Sequence, residues 1–492
     1  MNLVHAMDAT ADRHRWWIAV ALFVAAFSIL MVAAARFPGI HYPDEVMQSL
    51  EQAHRAVFGY GLVPWEFRDG ARSWLLPGLL AGPMWLGNAL APQTEAYRYL
   101  AQSLVAALSA SSVLVGYWWG RRFGRWHGVL AVVVLCTWFE LVYFGSRALG
   151  EVVGSAFLFA GVFLCSGRRE RDRAFLAGVF LGCAFVFRFH LAPAIVIAAL
   201  WHCRADVRKC WLPLLAGMTF PLMALGLADW ATWSVPFRSI IVNFEANIID
   251  GRSQLYGVSG GDWYLWQLAR QWQVAAPVVL LLAAWGARRD PLPVLTALVI
   301  VLVHSTIAHK EYRFIYPAIP LLLFSAALGS AELCRWLAAT RSRAEVPAGL
   351  VAAVCLAWIS ASGALGAAPH MRPEWLRGRA GLELLSRARS EAHCGVGLLA
   401  AWSWTGGYSS LHKDIPIHLL GWDPRTWHTE AFDAWILPRG SNQPATFDYR
   451  RIQCVAQHAG GVDELCLWVR AGNCDQRSAS TEAQSVLNAT GQ

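Results

Sequence analysis

Blocks of apolar residues, separated by short polar connections, recur along this chain. A helix crosses a bilayer with roughly 20 apolar residues, and most of the blocks approach that length. The pattern predicts eleven membrane-spanning helices, at residues 16–35, 98–119, 128–145, 151–166, 174–187, 189–202, 211–233, 272–287, 291–308, 314–332 and 347–367. The fourth, fifth and sixth blocks are short, so we expect broken or partly immersed helices there.

Arginine clusters in the connections predict the side of the membrane on which each loop lies. Runs such as RRFGR at 121–125 and RRERDR at 168–173 belong in the cytoplasm by the positive-inside rule. One further apolar stretch, 75–91, would turn these clusters outward if it spanned the membrane. We therefore interpret 75–91 as a helix at the membrane surface or re-entrant within the first outer loop, and we expect the C-terminus outside.

Composition favours an all-α polytopic membrane protein and excludes other classes. Hydrophobic residues make up 56% of the 492 positions and charged residues only 15%, which is atypical of a soluble multidomain protein. The net charge of +8 would suggest nucleic acid in a soluble protein, but topology explains the arginines here, so we expect no nucleic-acid partner. The chain has no P-loop, no GxGxxG and no Cys/His metal framework.

Hydropathy falls after the last apolar block, where short apolar runs alternate with turn residues. We predict a transmembrane domain at 1–367 with a large first outer loop at 36–97, and a small extracytoplasmic α/β domain at 368–475. The polar segment 476–492 is predicted to be disordered. Four cysteines outside the cytoplasm could form disulfides or remain buried thiols: Cys394, Cys454, Cys466 and Cys474.

Polar residues other than arginine anchors collect in the outer connections. Ionisable groups near a bilayer are costly to bury, so this clustering predicts a functional cavity that opens on the outer side. Arginine and lysine there suit a phosphate or diphosphate, and a nearby carboxylate could act as general base toward a hydroxyl group. These connections contain Asp44, Glu45, Glu66, Arg72, Arg147, Glu151, Arg188 and the run HKEYR at 309–313.

Each of these residues also has a structural explanation. Asp44 and Glu45 equally suit the first turn of a solvated helix. Glu66 and Glu151 could form ion pairs inside the bundle, and Lys310 could anchor the chain at the membrane interface. A divalent metal at the acid pair is a minor alternative, because the spacing fixes no further ligand.

Seven stretches, in order along the chain, carry a resemblance to one family. They read HYPDEVMQSLEQAH (41–54), FGYGLVPWEF (58–67) with RS (72–73), SRALGE (146–151), RFH (188–190), ADW…W (228–233), NFEANIIDGRSQLYG (243–257) with WY (263–264), and HKEYRFIYPAIP (309–320). Together they resemble the GT-C glycosyltransferases of family 22, which use dolichyl- or polyprenyl-phosphate-mannose, and within them the branch that adds the third mannose of GPI anchors. Tyr42 between His41 and Pro43 departs from the family pattern, as does the lack of the Pro and Thr often found after the Arg that corresponds to Arg188. Both departures bear on the identity of the acceptor.

The resemblance implies inverting transfer of mannose from polyprenyl-phosphate-mannose to a hydroxyl of a glycan or glycolipid, forming an α-mannoside with no required cofactor. Asp44 would be the base and Glu45 the neighbour that orients the acceptor, and repulsion between them would raise one pKa. The donor phosphate would be bound by Arg188, His309, Lys310 and Arg313. Substrate contacts would come from His41, Gln48, Trp65, Glu66, Arg72, Arg147, Glu151, Asn243, Tyr256 and Glu311.

Two other function classes would use similar residues. A transporter or flippase of a lipid-linked sugar also needs an outward cavity, but it predicts a two-fold hydropathy repeat that this sequence lacks. A non-catalytic assembly subunit would leave the acid pair without a purpose. The short inner loops and the lack of a long N-terminal extension favour a bacterial relative in the inner membrane, whereas a eukaryotic one would lie in the endoplasmic reticulum.

Overall fold

The computed structural model describes residues 2–342, 345–399, 402–441, 448–459, 461–475 and 482–490. Most of this described chain is helical. Its α-helices are α1 (Asn2–Arg36), α2 (Glu51–Phe58), α3 (Trp65–Arg68), α4 (Leu75–Leu90), α5 (Ala96–Arg121), α6 (Arg125–Thr137), α7 (Phe139–Phe144), α8 (Gly150–Cys165), α9 (Arg171–Phe187), α10 (Ala192–Cys203), α11 (Leu212–Trp233), α12 (Arg238–Phe244), α13 (Trp263–Trp272), α14 (Ala275–Gly286), α15 (Leu292–Thr306), α16 (Ala318–Thr340), α17 (Ala348–Gly366), α18 (Arg372–Trp375), α19 (Arg379–Arg389), α20 (Tyr408–Leu411) and α21 (Ala483–Thr490).

The rest of the described secondary structure consists of π-helices, 3₁₀ turns and β-strands. The π-helices are Glu45–Leu50, Val207–Trp211 and Glu245–Ile249. The 3₁₀ turns are Phe189–Leu191, Arg252–Tyr256, Tyr312–Ile315, Pro369–Met371, Trp402–Trp404, Pro424–Thr426 and Thr429–Ala431. The strands are β1 (Val396–Leu399), β2 (Ile417–Leu420), β3 (Ala434–Pro438), β4 (Arg450–Ala459) and β5 (Val462–Val469).

Several helices have the length and composition of membrane spans. Within the described ranges, five helices are long and apolar enough to cross a bilayer, and the bent pair α13–α14 makes a sixth if it is one span. The five are Trp16–Arg36, Ala96–Arg121, Val207–Trp233, Ala318–Thr340 and Ala348–Gly366. The other predicted spans coincide with shorter helices. A helical multi-pass membrane protein is therefore confirmed, and the count of eleven spans stays a prediction.

One predicted span contains a break, and another begins at a sharp bend. The block at 128–145 divides at Trp138, whose extended backbone separates α6 from α7. Helices α13 and α14 meet at an angle of 107°, and Gln273 between them has a positive φ of 46°. A broken helix leaves polar backbone groups unpaired at membrane depth, so such breaks occur where protein surrounds them or where they line a cavity.

Contacts divide the chain into two compact units. The first, here called the membrane unit, consists of Met1–Ala33, Val105–Leu227 and Ala246–Ala367. The second, here called the loop unit, consists of Ala34–Leu104, Ala228–Glu245 and Ala368–Gln492. The first outer loop therefore belongs to the same unit as the C-terminal region. The domain boundaries predicted from the sequence place this loop in the transmembrane domain at 1–367.

Glycine allows close helix packing in the membrane unit. Helices α14 and α16 approach each other at Gly286 and Gly329. A Cβ atom on Gly286 would lie 1.9 Å from the carbonyl oxygen of Ser325. Small residues of this kind are common where membrane helices contact each other.

The loop unit contains a mixed five-stranded sheet with the order β2-β1-β3-β5-β4. Strand β1 pairs in parallel with β2 and β3, and β5 pairs antiparallel with β3 and β4. All residues of β1 and β2 are buried, as expected for strands that are covered on both faces. The small C-terminal α/β domain predicted from the sequence is therefore confirmed.

The first outer loop packs into the hydrophobic core of this sheet domain. Ile40, Val46 and Met47 of the loop belong to the same buried cluster as Leu384 of α19 and Leu398 of β1. Since burial of apolar side chains is the main stabilising contribution to folding, the loop is held by the domain rather than by its own short helices. This packing fixes the position of the segment that begins with Asp44 and Glu45.

Two disulfides cross-link the C-terminal domain. They join Cys394 to Cys474 and Cys454 to Cys466. Of the two alternatives left open by the sequence, disulfides and free thiols, the structure therefore has the disulfides.

The predicted disordered tail contains an ordered segment. Residues Ala483–Thr490 form α21, and Leu487 is fully buried in the core of the loop unit. The prediction of disorder is wrong for this helix, because Val486 and Leu487 provide an apolar contact that the polar composition conceals. Positions 476–481 and 491–492 of the predicted tail lie outside the described residues.

Candidate active site

The acid pair of the first outer loop lies at the start of the π-helix Glu45–Leu50. Asp44 is the N-cap residue, but its side chain makes no capping hydrogen bond and is half-buried. Glu45 is 1% exposed and lines a small cavity together with Arg98 and Gln102. The two carboxylates therefore have different surroundings, and the burial of Glu45 contradicts the solvated helix start that the sequence left open.

A third carboxylate, Glu66, lies close to Asp44. Its Oε1 accepts a hydrogen bond of 2.8 Å from Nε2 of Gln48. Desolvation, and then the negative charge of Asp44, raise the pKa of Glu66, while Arg72 and the hydrogen bond from Gln48 oppose the shift. We call Asp44, Gln48, Glu66 and Arg72 the first-loop cluster.

The carboxyl group coupled to Asp44 comes from a separate helix. The charge of Asp44 raises the pKa of Glu66, and the repulsion expected between Asp44 and Glu45 stays a prediction. Adjacent residues of a helix point in different directions, whereas residues four apart, such as Asp44 and Gln48, lie on one face. Glu66 reaches this face from α3, through its hydrogen bond with Gln48.

Other predicted substrate-binding residues of the loop unit support the loop itself. Nε2 of His41 lies 3.8 Å from a carboxylate oxygen of Glu374. Nδ2 of Asn243 donates a hydrogen bond of 3.2 Å to the carbonyl oxygen of Ala71. Trp65 begins α3 and is 5% exposed. Direct contact of these residues with a substrate stays a prediction.

The membrane unit contains a second group of charged side chains, which come from three separate connections. Oε1 of Glu151, in the first turn of α8, lies 3.0 Å from Nη2 of Arg188 and 3.5 Å from Nη1 of Arg313. Arg188 follows α9, and Arg313 lies in the 3₁₀ turn Tyr312–Ile315. All three side chains are at most 9% exposed. Three stretches that were recognised separately in the sequence thus meet at one carboxylate.

An aromatic ring and a second carboxylate complete this group. The ring centre of Phe314 lies 5.1 Å from the guanidinium carbon of Arg188 and 5.2 Å from that of Arg313. Nε of Arg313 also pairs with Oε2 of Glu311. The ring and the carboxylates stabilise the two positively charged guanidinium groups next to each other. We call Glu151, Arg188, Glu311 and Arg313 the arginine cluster.

His309 connects the arginine cluster to the preceding outer loop. Its Nδ1 lies 2.9 Å from the carbonyl oxygen of Gly257, and its Nε2 lies 3.6 Å from Oε1 of Glu311. The contact with Glu311 raises the pKa of His309. Burial by itself raises the pKa of Glu311, but the charge of Arg313 and the contacts with His309 outweigh burial and lower it. Glu311 therefore stays ionised.

Three predicted residues of the membrane unit have less informative contacts. Nζ of Lys310 donates a hydrogen bond to the carbonyl oxygen of Ile307. The guanidinium carbon of Arg147 lies 4.5 Å from the ring centre of Tyr143. Tyr256 is 63% exposed. These contacts neither support nor contradict roles in phosphate or substrate binding.

The sequence analysis missed Glu140, an acid inside the predicted span 128–145. Glu140 is 3% exposed. Its Oε2 accepts hydrogen bonds from Nε1 of Trp138 at 2.9 Å and Nε1 of Trp272 at 2.7 Å, and its Oε1 accepts one from the hydroxyl of Tyr312. A lone ionisable residue in an apolar block is itself a signal of function, and the sequence contains that signal.

The described residues offer one group of side chains close enough together to hold a metal ion. It consists of Cys394, Asp433 and Cys474. The two cysteines form a disulfide, so they cannot act as thiolate ligands. The expectation that the reaction requires no metal stays a prediction.

The helical fold with its small C-terminal sheet domain is similar to that of GT-C membrane proteins of known structure. The crystal structure of ArnT from Cupriavidus metallidurans bound to undecaprenyl phosphate has a TM-score of 0.57 to this chain. The match covers 93% of this chain and 99% of that chain at 12% identity, so it shows the fold alone.

The chain belongs to the Alg9-like mannosyltransferase family, whose sequence model matches residues 22–371. GPI mannosyltransferase 3 of Yarrowia lipolytica is 26% identical over 423 residues, which cover 82% of this chain and 77% of that protein. GPI alpha-1,2-mannosyltransferase 3 of Danio rerio is 27% identical over 316 residues, which cover 60% of this chain and 56% of that protein. The resemblance that the seven stretches carry is confirmed, and the chain is a membrane mannosyltransferase.

Proposed function

We propose that this mannosyltransferase moves mannose from polyprenyl-phosphate-mannose to a hydroxyl group of a glycan or glycolipid, with inversion at the anomeric carbon. The observation that best supports this donor class is the arginine cluster. A guanidinium group carries five N–H donors in one plane and can hold a carboxylate and a phosphate oxygen at once. Two buried guanidinium groups side by side repel each other, and a bound phosphate would relieve that repulsion.

The reaction needs one base and one stabilised leaving group. The acceptor oxygen forms a bond to C1 of mannose, and Asp44 takes the proton of the acceptor hydroxyl. The bond from C1 to the phosphate oxygen breaks, and its electron pair leaves with polyprenyl phosphate. Arg188 and Arg313 stabilise the negative charge that develops on this phosphate. A β-linked donor thereby gives an α-mannoside.

Asp44 suits the role of base better than its two neighbours. The carboxylate of Glu66 already accepts a hydrogen bond from Gln48, and its burial together with the charge of Asp44 raises its pKa. Glu45 is almost fully buried, so an acceptor has poorer access to it than to the half-buried Asp44. We therefore assign to Glu45 and Glu66 the support and orientation of the base.

The reaction is proposed to take place on the outer or lumenal side of the membrane. The two disulfides of the loop unit support this orientation, because disulfides form and persist outside the reducing cytoplasm. The partners are then a polyprenyl-phosphate sugar, a glycan or glycolipid acceptor and membrane lipids. The bacterial origin inferred from the short inner loops stays a prediction, with the inner membrane as the corresponding location.

The transporter alternative has no supporting observation once the family is established. Transfer of mannose is the activity of the family, and movement of an intact lipid-linked sugar would leave Asp44 without a chemical role.

The donor and the stereochemistry can be tested with the purified chain in lipid nanodiscs. We would supply polyprenyl-phosphate-linked mannose, glucose and arabinose in parallel, with a panel of mannosylated glycolipids as acceptors, and determine the anomeric configuration of the product by NMR. The proposal predicts transfer from the mannose donor and an α-mannoside as product. Transfer from another sugar alone, or a β-mannoside, would contradict it.

A further inference from the structure

One buried carboxylate joins three segments of the membrane unit that are far apart in sequence. Glu140 lies in α7, and its hydrogen-bond donors come from Trp138 just before α7, from Trp272 in α13 and from Tyr312 in the 3₁₀ turn Tyr312–Ile315. Both carboxylate oxygens are used, and the side chain is 3% exposed. The mechanism derived above gives this group no part.

The two long-range donors belong to elements that bear on phosphate binding. Tyr312 lies between Glu311 and Arg313 of the arginine cluster, so its hydroxyl fixes the turn that carries both charged side chains. Trp272 is the last residue of α13, immediately before the bend of 107° into α14. Glu140 therefore connects the bend between α13 and α14 to the turn that presents Arg313.

We propose that Glu140 is a positioning residue for the donor phosphate: by holding the hydroxyl of Tyr312, it sets the direction in which Arg313 meets the phosphate. This inference rests on the proposed function. It adds a residue that touches neither the sugar nor the phosphate, and that acts through Tyr312.

A carboxylate is the side chain that three converging donors require. Its oxygens only accept hydrogen bonds when it is ionised, so two indole N–H groups and one phenol O–H can all be satisfied. Glutamine has the same shape but presents an NH₂ group in place of one oxygen, which would face a donor. An unsatisfied buried donor is costly, and the turn would shift to relieve it. Supporting hydrogen bonds of this kind keep binding side chains in their productive geometry.

Simple core packing is the competing explanation, and tyrosine-to-phenylalanine changes separate it from positioning. Tyr312→Phe keeps the ring and removes the hydroxyl that donates to Glu140. Tyr316→Phe makes the same chemical change four residues further on, at a side chain that is also buried. Tyr316 donates no hydrogen bond to Glu140 within the described part of the chain, so it is a matched control.

The test uses the full chain in nanodiscs and compares wild type, Tyr312→Phe, Glu140→Gln and Tyr316→Phe. Three quantities are measured: the dissociation constant of undecaprenyl phosphate, the KM and kcat for polyprenyl-phosphate-mannose, and the melting temperature. We expect Tyr312→Phe to raise the dissociation constant and the donor KM about tenfold, the effect of one lost hydrogen bond near a charged group. We expect kcat at saturating donor to stay within about twofold of wild type, and Glu140→Gln to have the larger effect on KM.

The outcomes separate this inference from the proposed function. If wild type binds undecaprenyl phosphate and Tyr312→Phe binds it as tightly as Tyr316→Phe does, the positioning role is excluded and the proposed function stands. If Tyr312→Phe lowers only the melting temperature, Glu140 is a packing residue. If wild type neither binds undecaprenyl phosphate nor uses the mannose donor, both proposals are wrong.

Discussion

The two clusters of charged residues differ in what faces their carboxylates. In the arginine cluster the carboxylates face cations: Glu151 contacts Arg188 and Arg313, and Glu311 pairs with Arg313. In the first-loop cluster a carboxylate also faces another carboxylate, since the charge of Asp44 raises the pKa of Glu66 and outweighs the opposing charge of Arg72.

This difference matches two kinds of chemical task. Binding of a phosphate needs positive charges that are present at every working pH and fixed in direction, and paired, buried arginines provide them. Transfer of a proton needs a group whose protonation can change, and coupled carboxylates provide that. The predictions below compare matched substitutions in the two clusters.

The largest expected difference is in stability. Glu151→Ala leaves Arg188 and Arg313 buried with one carboxylate fewer, and loss of one partner of a buried ion pair costs about 3–5 kcal/mol of unfolding free energy. Glu66→Gln removes a half-buried carboxylate and should cost less than about 1 kcal/mol. Thermal unfolding in one detergent measures both. Equal losses would show that the clusters do not differ in this way.

The next difference concerns donor binding. Arg313→Lys keeps the positive charge but loses the planar fork, so we expect the donor KM to rise by about 10- to 100-fold, which corresponds to one or two charge-assisted hydrogen bonds. Arg72→Lys, the matched change in the first-loop cluster, should alter donor KM by less than about threefold. Steady-state kinetics with a saturating acceptor checks this. A larger effect at Arg72 would move the phosphate site to the first-loop cluster.

Opposite dependence on pH is the third difference. Glu66 has a raised pKa, so its favourable contribution to the free energy of unfolding is fully present below pH 4.5, the usual pKa of glutamate. This contribution is lost as pH rises through the folded-state pKa of Glu66. Glu311 has a lowered pKa, so its contribution to the free energy of unfolding is present above pH 4.5 and is lost as pH falls through its folded-state pKa.

The melting temperature of wild type relative to Glu66→Gln should therefore fall as pH rises above 4.5. Relative to Glu311→Gln it should fall as pH drops below 4.5. Thermal melts of the three proteins at matched ionic strength give these differences. The same sign of pH dependence for both variants would contradict the two opposite shifts.

The smallest effect is expected at Glu45. Inversion needs a single base, and the carboxyl group of Glu45 is buried beside a small cavity. Glu45→Gln should lower kcat by less than about tenfold, within the range of a group that only orients its neighbours. Initial rates at saturating donor and acceptor are the measurement. A loss of about a thousandfold would assign the proton transfer to Glu45.

The sequence predicted the helical membrane fold and the C-terminal sheet domain because hydrophobic periodicity is a local signal, whereas the orientation derived from arginine placement stays a prediction. It also predicted that Glu151, Arg188 and Arg313 matter, although only the fold could show that they meet. It did not identify Glu66 as the partner of Asp44, because that contact depends on the directions of side chains from two separate helices. Helix α21 was missed because one buried leucine outweighs a polar composition once a core is available.

Replacement of the proposed base tests the central claim most directly. In nanodiscs, Asp44→Asn and the control Asp69→Asn, at an exposed position of the same loop, would be compared with wild type for kcat, binding of undecaprenyl phosphate and melting temperature. The account predicts that kcat of Asp44→Asn falls by about 10²- to 10⁴-fold, as loss of a general base requires, while binding, melting temperature and the Asp69→Asn control stay close to wild type. A kcat for Asp44→Asn within about tenfold of wild type would contradict it.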